Sequence, residues 1–408
     1  MDRVIEKIIE KEKKRQKACI NLIASENIVS SDTLRALGSV FTNKYAEGYP
    51  RHRYYAGTAP SDELELEVQK RALKLFNLSS KKWGVNVQAY SGSPANLAIF
   101  YALVPFGEKI MGMGLDMGGH LSHGQKVSIT GKLWKQVRFN LSPKTELLDY
   151  DSIKKIALKE KPKLVIAGFT AYPRIINFKK FREICDKINA IFMVDMSHFA
   201  GLVAGRVYPS PFPFAHVVMT TTHKTLRGPR GAIIFARKID LNFFRKDISQ
   251  DISIFEAINK AIFPGIQGGP HLNNIAAIGV ALNEARKSSF RKYASMVVKN
   301  ARVLAREFKN LKWRVISGGT DTHLILLDVS LLGLSGGEAQ RILENHGIIV
   351  NKNMIPFDSR KPTDPSGIRI GTAFVTSAGK KERDMIKIAR LIDGILREKN
   401  DNRRRKNS

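Results

Sequence analysis

The 408-residue sequence contains only two cysteines, Cys19 and Cys185. Two thiols this far apart supply neither a disulfide framework nor a cysteine metal cluster, and a reducing cytoplasm is the expected compartment. No apolar run approaches the ~20 residues needed to span a bilayer, so no membrane partner is expected. The segment Met1 to Lys17 lacks an apolar core, and Asp2, Glu6, Glu10 and Glu12 are mixed with its lysines. It is therefore expected to be neither a secretory signal nor an acid-poor transit peptide. Val4, Ile5, Ile8 and Ile9 share one helical face, which predicts a surface helix docked on a larger body. Acidic residues are also scarce: 37 Asp and Glu against 67 Lys and Arg give a net charge of +30. That excess, with the tail Arg403-Arg404-Arg405-Lys406, would suit a nucleic-acid binder. Yet the lysines are spread along helical stretches such as 153–161 and 178–187, with no aromatic interleaving and no RNA-binding signature. A solvated basic surface that attracts anionic small molecules is expected instead, and nucleic acid is not an expected partner.

What is present is enough for two domains with a substantial core: 43% hydrophobic and 25% charged residues in a chain of this length. Strands and helices alternate from Leu164 to Phe235. Residues 163–168 read as a strand, 178–189 as a helix and 190–195 as a strand, a βαβ series that predicts a mostly parallel sheet covered on both faces. A helix capped at Ser61-Asp62-Glu63 is expected to run to about Phe76. A long helical stretch follows from Asn273 to about Phe308. Strands near 324–329, 348–350 and 368–371, with helices at 336–345 and 380–397, predict a smaller α+β domain. The division expected is a helical arm over 1–20, a large domain over 21–280 and a small domain over 281–408.

Candidate chemistry centres on Lys224. The apolar run 215–219 leads through three threonines and His223 to this lysine, and a Gly/Pro-rich turn then precedes the strand 232–235. A lysine held between strands and desolvated can be an uncharged nucleophile and form a Schiff base. Asp195 ends the apolar strand 190–194, at the carboxyl end where open α/β sheets bind ligands. Pyridoxal phosphate needs this pair, a lysine for its aldehyde and an acid beside its ring nitrogen. Ser91-Gly92-Ser93 precedes Pro94, read as the first helical position; such a helix start can hold a phosphate. The loop 114–124 has the wrong spacing for a dinucleotide fingerprint. His120 and His123 lack the carboxylate or cysteine companions of a metal site, so no metal is expected, and a histidine among glycines can lie flat on an aromatic ring. The Tyr-, Gly- and charge-rich stretch 43–57 reads as a loop whose tyrosines, with a Glu and an Arg, line a substrate. Residues 263–271 are too rich in Gly and Pro for regular structure.

These segments together resemble the serine hydroxymethyltransferase family, pyridoxal-phosphate enzymes of the aspartate-aminotransferase-like fold (fold type I). The resemblance covers nearly the whole chain: LIASEN from Leu22, NKYAEGYP from Asn43, YSGSPANLA from Tyr90, GGHLSHG from Gly118, TTTHKTLRGPRG from Thr220, FPGIQGGPH from Phe263 and SGIRIGT from Ser366. It implies reversible transfer of the serine hydroxymethyl group to tetrahydrofolate or a related tetrahydropterin. Lys224 is then the cofactor-linked lysine, Asp195 the partner of the ring nitrogen and His120 the residue stacked on the ring. Ser91, Gly92 and Ser93 match the phosphate loop, with His198, His223 and Thr170 around the cofactor. Tyr45, Glu47, Tyr55, Gly268 and Gly269 match groups that a second subunit contributes, which implies a dimer at least. Ser25 and Arg369 match the grip on the substrate carboxylate, helped by Tyr55. Leu115, Gly119, Leu121, Asn353, Pro362 and Thr363 match the reduced-folate pocket, and Glu47 the proton-transferring group.

Three places depart from the family pattern. Ala56 stands where a glycine is common, Thr170 where serine precedes Ala-Tyr-Pro-Arg, and 371–379 lacks a proline and an arginine usual there. The +30 charge is not a family trait either. A folate-independent aldolase of β-hydroxy amino acids on the same scaffold is the alternative activity, against which Glu47 and the Asn353 loop argue.

Overall fold

The computed structural model describes residues 2–247 and 251–407, with side chains as far as 398; the basic tail at 403–406 lies beyond the described side chains. The chain divides into two compact units, Asn27–Ser295 and Met1–Glu26 with Met296–Ser408.

The larger unit is built on seven strands: β1 (Trp83–Asn86), β2 (Lys109–Met113), β3 (Lys135–Phe139), β4 (Leu164–Ala167), β5 (Ile191–Asp195), β6 (Val217–Thr221) and β7 (Ala232–Arg237). Their spatial order is β1-β7-β6-β5-β4-β2-β3. Strands β2 to β6 run parallel, and β7 is antiparallel to both its neighbours. Every residue of β4, β5 and β6 is buried, as continuous Val/Ile/Leu runs in a parallel sheet require. The helix Phe178–Lys187 joins β4 to β5 and buries Phe178, Phe181, Ile184 and Cys185, a single helical stripe. Phe181 stacks on Phe192 of β5 with centroids 5.8 Å apart.

This topology gathers one set of strand ends. The carboxyl ends of β2, β4, β5 and β6 share an edge, and the two reversals at β7 bring the carboxyl end of β1 to it as well. That is where a doubly wound sheet places its ligand. Gly168 makes the edge compact. It has φ +115°, and a Cβ there would lie 1.9 Å from the Asp195 carbonyl oxygen.

The smaller unit carries an antiparallel sheet of β8 (Arg314–Val315), β9 (Leu324–Asp328), β10 (Asn351–Asn353) and β11 (Gly367–Gly371), in the order β8-β9-β11-β10. Leu304, Phe308, Ile325, Leu327, Ile370 and Met385 form part of its core. Ile20–Asn21 pairs in parallel with Ile348–Ile349. The atypical stretch 371–379 is packed over its first five residues: Ala373, Phe374 and Val375 are buried, and Thr372 Oγ1 donates to the Val297 carbonyl at 2.8 Å. Asn300 Nδ2 donates to Thr376 Oγ1 at 2.8 Å.

Several elements differ from the sequence expectation. The helix Arg3–Ala18 forms, with Asp2 accepting from the Val4 and Ile5 N–H groups, but none of its residues is buried. Val4 and Ile8 are 66% and 58% exposed, so its apolar face is not covered by the described residues. The helix expected from Ser61 starts at Ala59, because Pro60 is at home in a first turn where its missing N–H costs nothing. The helix expected at Pro94 likewise starts two residues earlier, at Gly92. The single helix from 273 is two, Leu272–Ala285 and Ser288–Asn310. Lys287 N–H returns to the Glu284 carbonyl, a tight 3₁₀-like closure ahead of two serines that favour a helix start. Residues 261–266 keep a distorted helical turn broken at Phe263, with a cis Phe263-Pro264 bond; only 267–271 is irregular.

Because Phe192 is fully buried in a central strand, Phe192→Ala should cost about 3–5 kcal/mol in urea unfolding, and a loss below about 1 kcal/mol would contradict this packing.

Candidate active site

A cavity opens at the shared strand edge of the larger unit. Ser91, Gly92, Ser93, His120, Thr170, Asp195, His198, His223 and Lys224 line it, nine of the residues singled out from sequence. Several elements contribute them. Asp195 ends β5, Lys224 follows β6, and His120 and Thr170 lie on the loops after β2 and β4.

Lys224 Nζ donates to Thr221 Oγ1 at 2.8 Å. The turn behind it is tight: Thr222 Oγ1 donates to the Pro229 carbonyl at 2.5 Å, and Gly228 N–H to the Thr222 carbonyl at 2.7 Å. Asn27 Nδ2 holds the Lys224 carbonyl at 2.8 Å. The amine is thus carried on a stiff support and not on a free surface side chain.

Asp195 is buried, which alone would raise its pKa. His123 Nε2 at 3.0 Å from Oδ2, the charges of His123 and His120, and the Ser197 N–H on Oδ1 outweigh burial and hold the carboxyl below the usual carboxylate range. Asn96 Nδ2 adds a donor to Oδ2 at 3.2 Å. A buried anion surrounded by donors stays an anion, and it favours a proton on whatever nitrogen faces it. His120 Nδ1 lies 3.1 Å from the Ser122 N–H and 2.7 Å from Ser122 Oγ, which orients its ring.

The opposite wall suits a phosphate. The helix Gly92–Leu103 opens into the cavity, and Ser91 at its N-cap makes no side-chain capping bond. Its first-turn N–H groups are therefore not taken by the cap, and the helix dipole favours an anion there. A Cβ at Gly92 would lie 2.7 Å from Thr221 Cγ2, so glycine keeps that wall open. His223 Nδ1 is buried with no hydrogen-bond partner among the described residues. Burial, with the charges of Lys224 and Arg230 adding to it, pushes its imidazole down to about 3. A lysine, a stable buried carboxylate, a phosphate-binding helix start and an unsatisfied ring nitrogen fit pyridoxal phosphate.

Tyr45, Glu47, Tyr55, Gly268 and Gly269 do not line this cavity but form a second cluster in the same unit. Tyr45 OH is 3.3 Å from Glu47 Oε1, and the Tyr45 and Tyr55 rings meet edge-on at 4.9 Å. A Cβ at Gly268 would come within 3.1 Å of Glu47 Oε1, and one at Gly269 within 3.3 Å of the Tyr45 ring. Arg53, expected on a substrate wall, instead turns inward and its side chain is 2% exposed. The stretch is a β-hairpin, Gly48–Tyr49 paired with His52–Arg53.

In the smaller unit Arg369 is buried, which pushes its pKa down to about 10, and its Nε donates to Asn351 Oδ1 at 3.1 Å. Asn353 Nδ2 donates to the Met354 carbonyl at 2.6 Å. Ser25 is half-buried, and Pro362 and Thr363 are exposed. In the larger unit Leu115 is half-buried, Leu121 exposed and Gly119 buried, its carbonyl accepting from Thr170 Oγ1 at 3.0 Å.

Sequence reasoning missed Asn96, Ser122, His123, Ser197 and Thr221. Asn96 was within reach, since it lies one helical turn beyond Gly92 and faces the same way. His123 had been weighed only as a metal ligand. Its pairing with Asp195, 72 residues away, is a product of the fold.

The family model for serine hydroxymethyltransferase matches residues 1–392. The chain is 50% identical over 383 residues to the serine hydroxymethyltransferase of Coprothermobacter proteolyticus, covering 94% of this chain and 88% of that one. It is 49% identical over 388 residues to that of Zymomonas mobilis, covering 95% and 86%. The same enzyme of Desulfotalea psychrophila is 49% identical over 389 residues, covering 95% and 87%.

His223 gives the site a pH signature. The unfolded chain takes up its proton near pH 6.5 and the folded chain only near 3, so this residue costs stability as pH falls through that window. In urea titrations of the cofactor-free protein, His223→Gln should lose less stability than wild type between about pH 6.5 and 4, by up to about 1.4 kcal/mol per pH unit. Parallel curves would contradict a buried neutral imidazole.

Proposed function

The chain belongs to the serine hydroxymethyltransferase family, and from that premise we propose how its own residues divide the work. The reaction is the pyridoxal-phosphate-dependent, reversible transfer of the serine hydroxymethyl group to tetrahydrofolate, which gives glycine and 5,10-methylenetetrahydrofolate. The enzyme is a homo-oligomer of one-carbon metabolism, and among the described residues no helix is long and apolar enough to cross a membrane. Bound pyridoxal phosphate supplies an aldehyde carbon for the amino group and an electron-withdrawing ring that weakens the bonds at the substrate Cα.

Lys224 would be the amine that holds the cofactor covalently until serine's amino group takes its place. Asp195, by remaining ionised, would keep a proton on the ring nitrogen. The observation that carries this assignment is that Asp195 and Lys224 line one cavity, each fixed by its own donors or acceptors. His120 would stack on the ring, and His198, His223 and Thr170 would complete its surroundings. Ser91, Gly92 and Ser93 bind the phosphate through the helix start.

Arg369, a planar fork matched to a carboxylate, grips the substrate carboxylate with Ser25 and Tyr55. Glu47 moves the proton of the serine hydroxyl as the Cα–Cβ bond breaks, a task that needs a carboxyl group next to that oxygen. Because the Tyr45–Glu47–Tyr55 cluster and Gly268-Gly269 stand apart from the Lys224 cavity, a second copy of the chain supplies them to each site. Leu115, Gly119, Leu121, Asn353, Pro362 and Thr363 receive the folate. Two free cysteines, one of them buried, accord with work in a reducing cytoplasm.

One paired experiment separates the roles of Lys224 and Glu47. Lys224→Ala should abolish reductive trapping of pyridoxal phosphate on the protein. Glu47→Gln should trap it normally but lose folate-dependent serine cleavage by about 10²-fold or more. Serine turnover at the wild-type rate in Glu47→Gln would remove that residue from the reaction.

A further inference from the structure

Glu47 is carried on a hairpin, and a two-residue ladder is by itself a poor platform for a proton-transferring group. What stiffens it lies beneath. Arg53, on the returning strand, sends Nη1 back to the carbonyls on either side of Glu47: Ala46 at 3.0 Å and Gly48 at 2.7 Å. Its other nitrogens grip the helix Ala59–Leu75, Nε on Asp62 Oδ1 and Nη2 on Glu65 Oε2, both at 2.8 Å. Asp62 and Glu65 are three residues apart and so share a helix face. Asp62 Oδ2 also takes the Arg51 N–H in the hairpin turn, at 2.8 Å. The Glu65 side chain is 0% exposed and that of Arg53 2%.

The network continues to the glycine strap. Gln88 Nε2 donates to both Glu65 oxygens and to the Gly48 carbonyl, each at 3.0 Å. Gln267, the residue before Gly268-Gly269, donates through Nε2 to the Gln88 carbonyl at 2.8 Å and accepts the Tyr90 N–H at 3.1 Å. Tyr90 OH then holds the Gly269 carbonyl at 2.7 Å. One chain of buried and half-buried polar contacts thus runs from the carbonyls flanking Glu47 to the two glycines, Gly268 leaving room for its carboxylate and Gly269 for the Tyr45 ring.

We propose that Arg53, Glu65 and Gln88 are positioning residues for catalysis, fixing Glu47 and the Gly268-Gly269 strap as one preassembled half-site. The inference rests on the assignment of Glu47 above. Lys224 lies outside this network, so disturbing it should lower turnover and leave cofactor attachment intact. An ion pair needed only for stability would not make that distinction.

The test uses Arg53→Lys, which keeps the charge but loses the fork, and Glu65→Gln, which keeps the shape but loses the charge. In each, kcat for serine cleavage should fall at least about tenfold while the serine KM moves less than about twofold. Reductive trapping of pyridoxal phosphate should remain one per chain. Mixed with Lys224→Ala protein and allowed to exchange subunits, either variant should recover about a quarter of wild-type activity, because half the dimers then hold one intact site of two. Glu47→Gln mixed with Lys224→Ala is the control. If the control fails, the shared site is wrong, and the split between kcat and trapping in the single variants decides alone. Unchanged kcat, or lost trapping without recovery on mixing where the control recovers, would overturn the proposal.

Discussion

Asp195 is buried at the end of a central strand, where an unsupported carboxylate would take up a proton. His123, Asn96 and the Ser197 N–H prevent this, and everything else at the site depends on that ionised group. A neutral acid could not hold a proton on a facing ring nitrogen, and Lys224 alone would supply only attachment. The donors come from distant parts of the chain: a helix that follows β1, the glycine-rich loop after β2, and the turn after β5. The parallel sheet is what brings them together, since only at its carboxyl edge do these loops converge. Gly168 closes that edge by accepting a backbone approach that no side chain would allow.

Two differently built halves share the remaining chemistry. The Lys224 cavity is lined by groups at strand ends of a rigid sheet. The Glu47 cluster stands on a hairpin held by a buried ion pair and two glutamines. Such polar support is demanding, because a partly satisfied buried network costs more than an apolar one. Its benefit is geometric: it fixes loops that no strand pairing reaches. On the reading proposed above, in which a second copy supplies the Glu47 cluster, the exposed tyrosines and the glycine strap are surfaces that meet a neighbour. The apolar face of the helix Arg3–Ala18 is likewise uncovered among the described residues.

Much of this was legible in the sequence. The apolar runs of β4, β5 and β6 announced a parallel sheet, and Asp195 and Lys224 stood out because one ends a buried strand and the other closely follows one. Ordered motifs supplied roles for residues whose local pattern was ambiguous. The misreadings have local causes. Helix starts were displaced by two residues at Ala59 and Gly92, where a proline in the first turn obscured the true beginning. Asn351–Asn353 has a polar strand's composition, so no hydrophobic alternation revealed it. Arg53 looked like a substrate ligand because its neighbours are tyrosines; only the fold shows its guanidinium bound to Glu65. His123 could not be matched to Asp195 without the sheet between them.

The central claim is that cofactor, amino acid and folate meet in one site governed by Asp195 and Lys224. The visible spectrum of the pyridoxal-phosphate-loaded oligomer with glycine, before and after tetrahydrofolate, tests it most directly. The account predicts a long-wavelength band that becomes prominent only when both ligands are present. A spectrum that responds to glycine but ignores tetrahydrofolate would contradict it, as would a protein that acquires no visible absorbance with the cofactor.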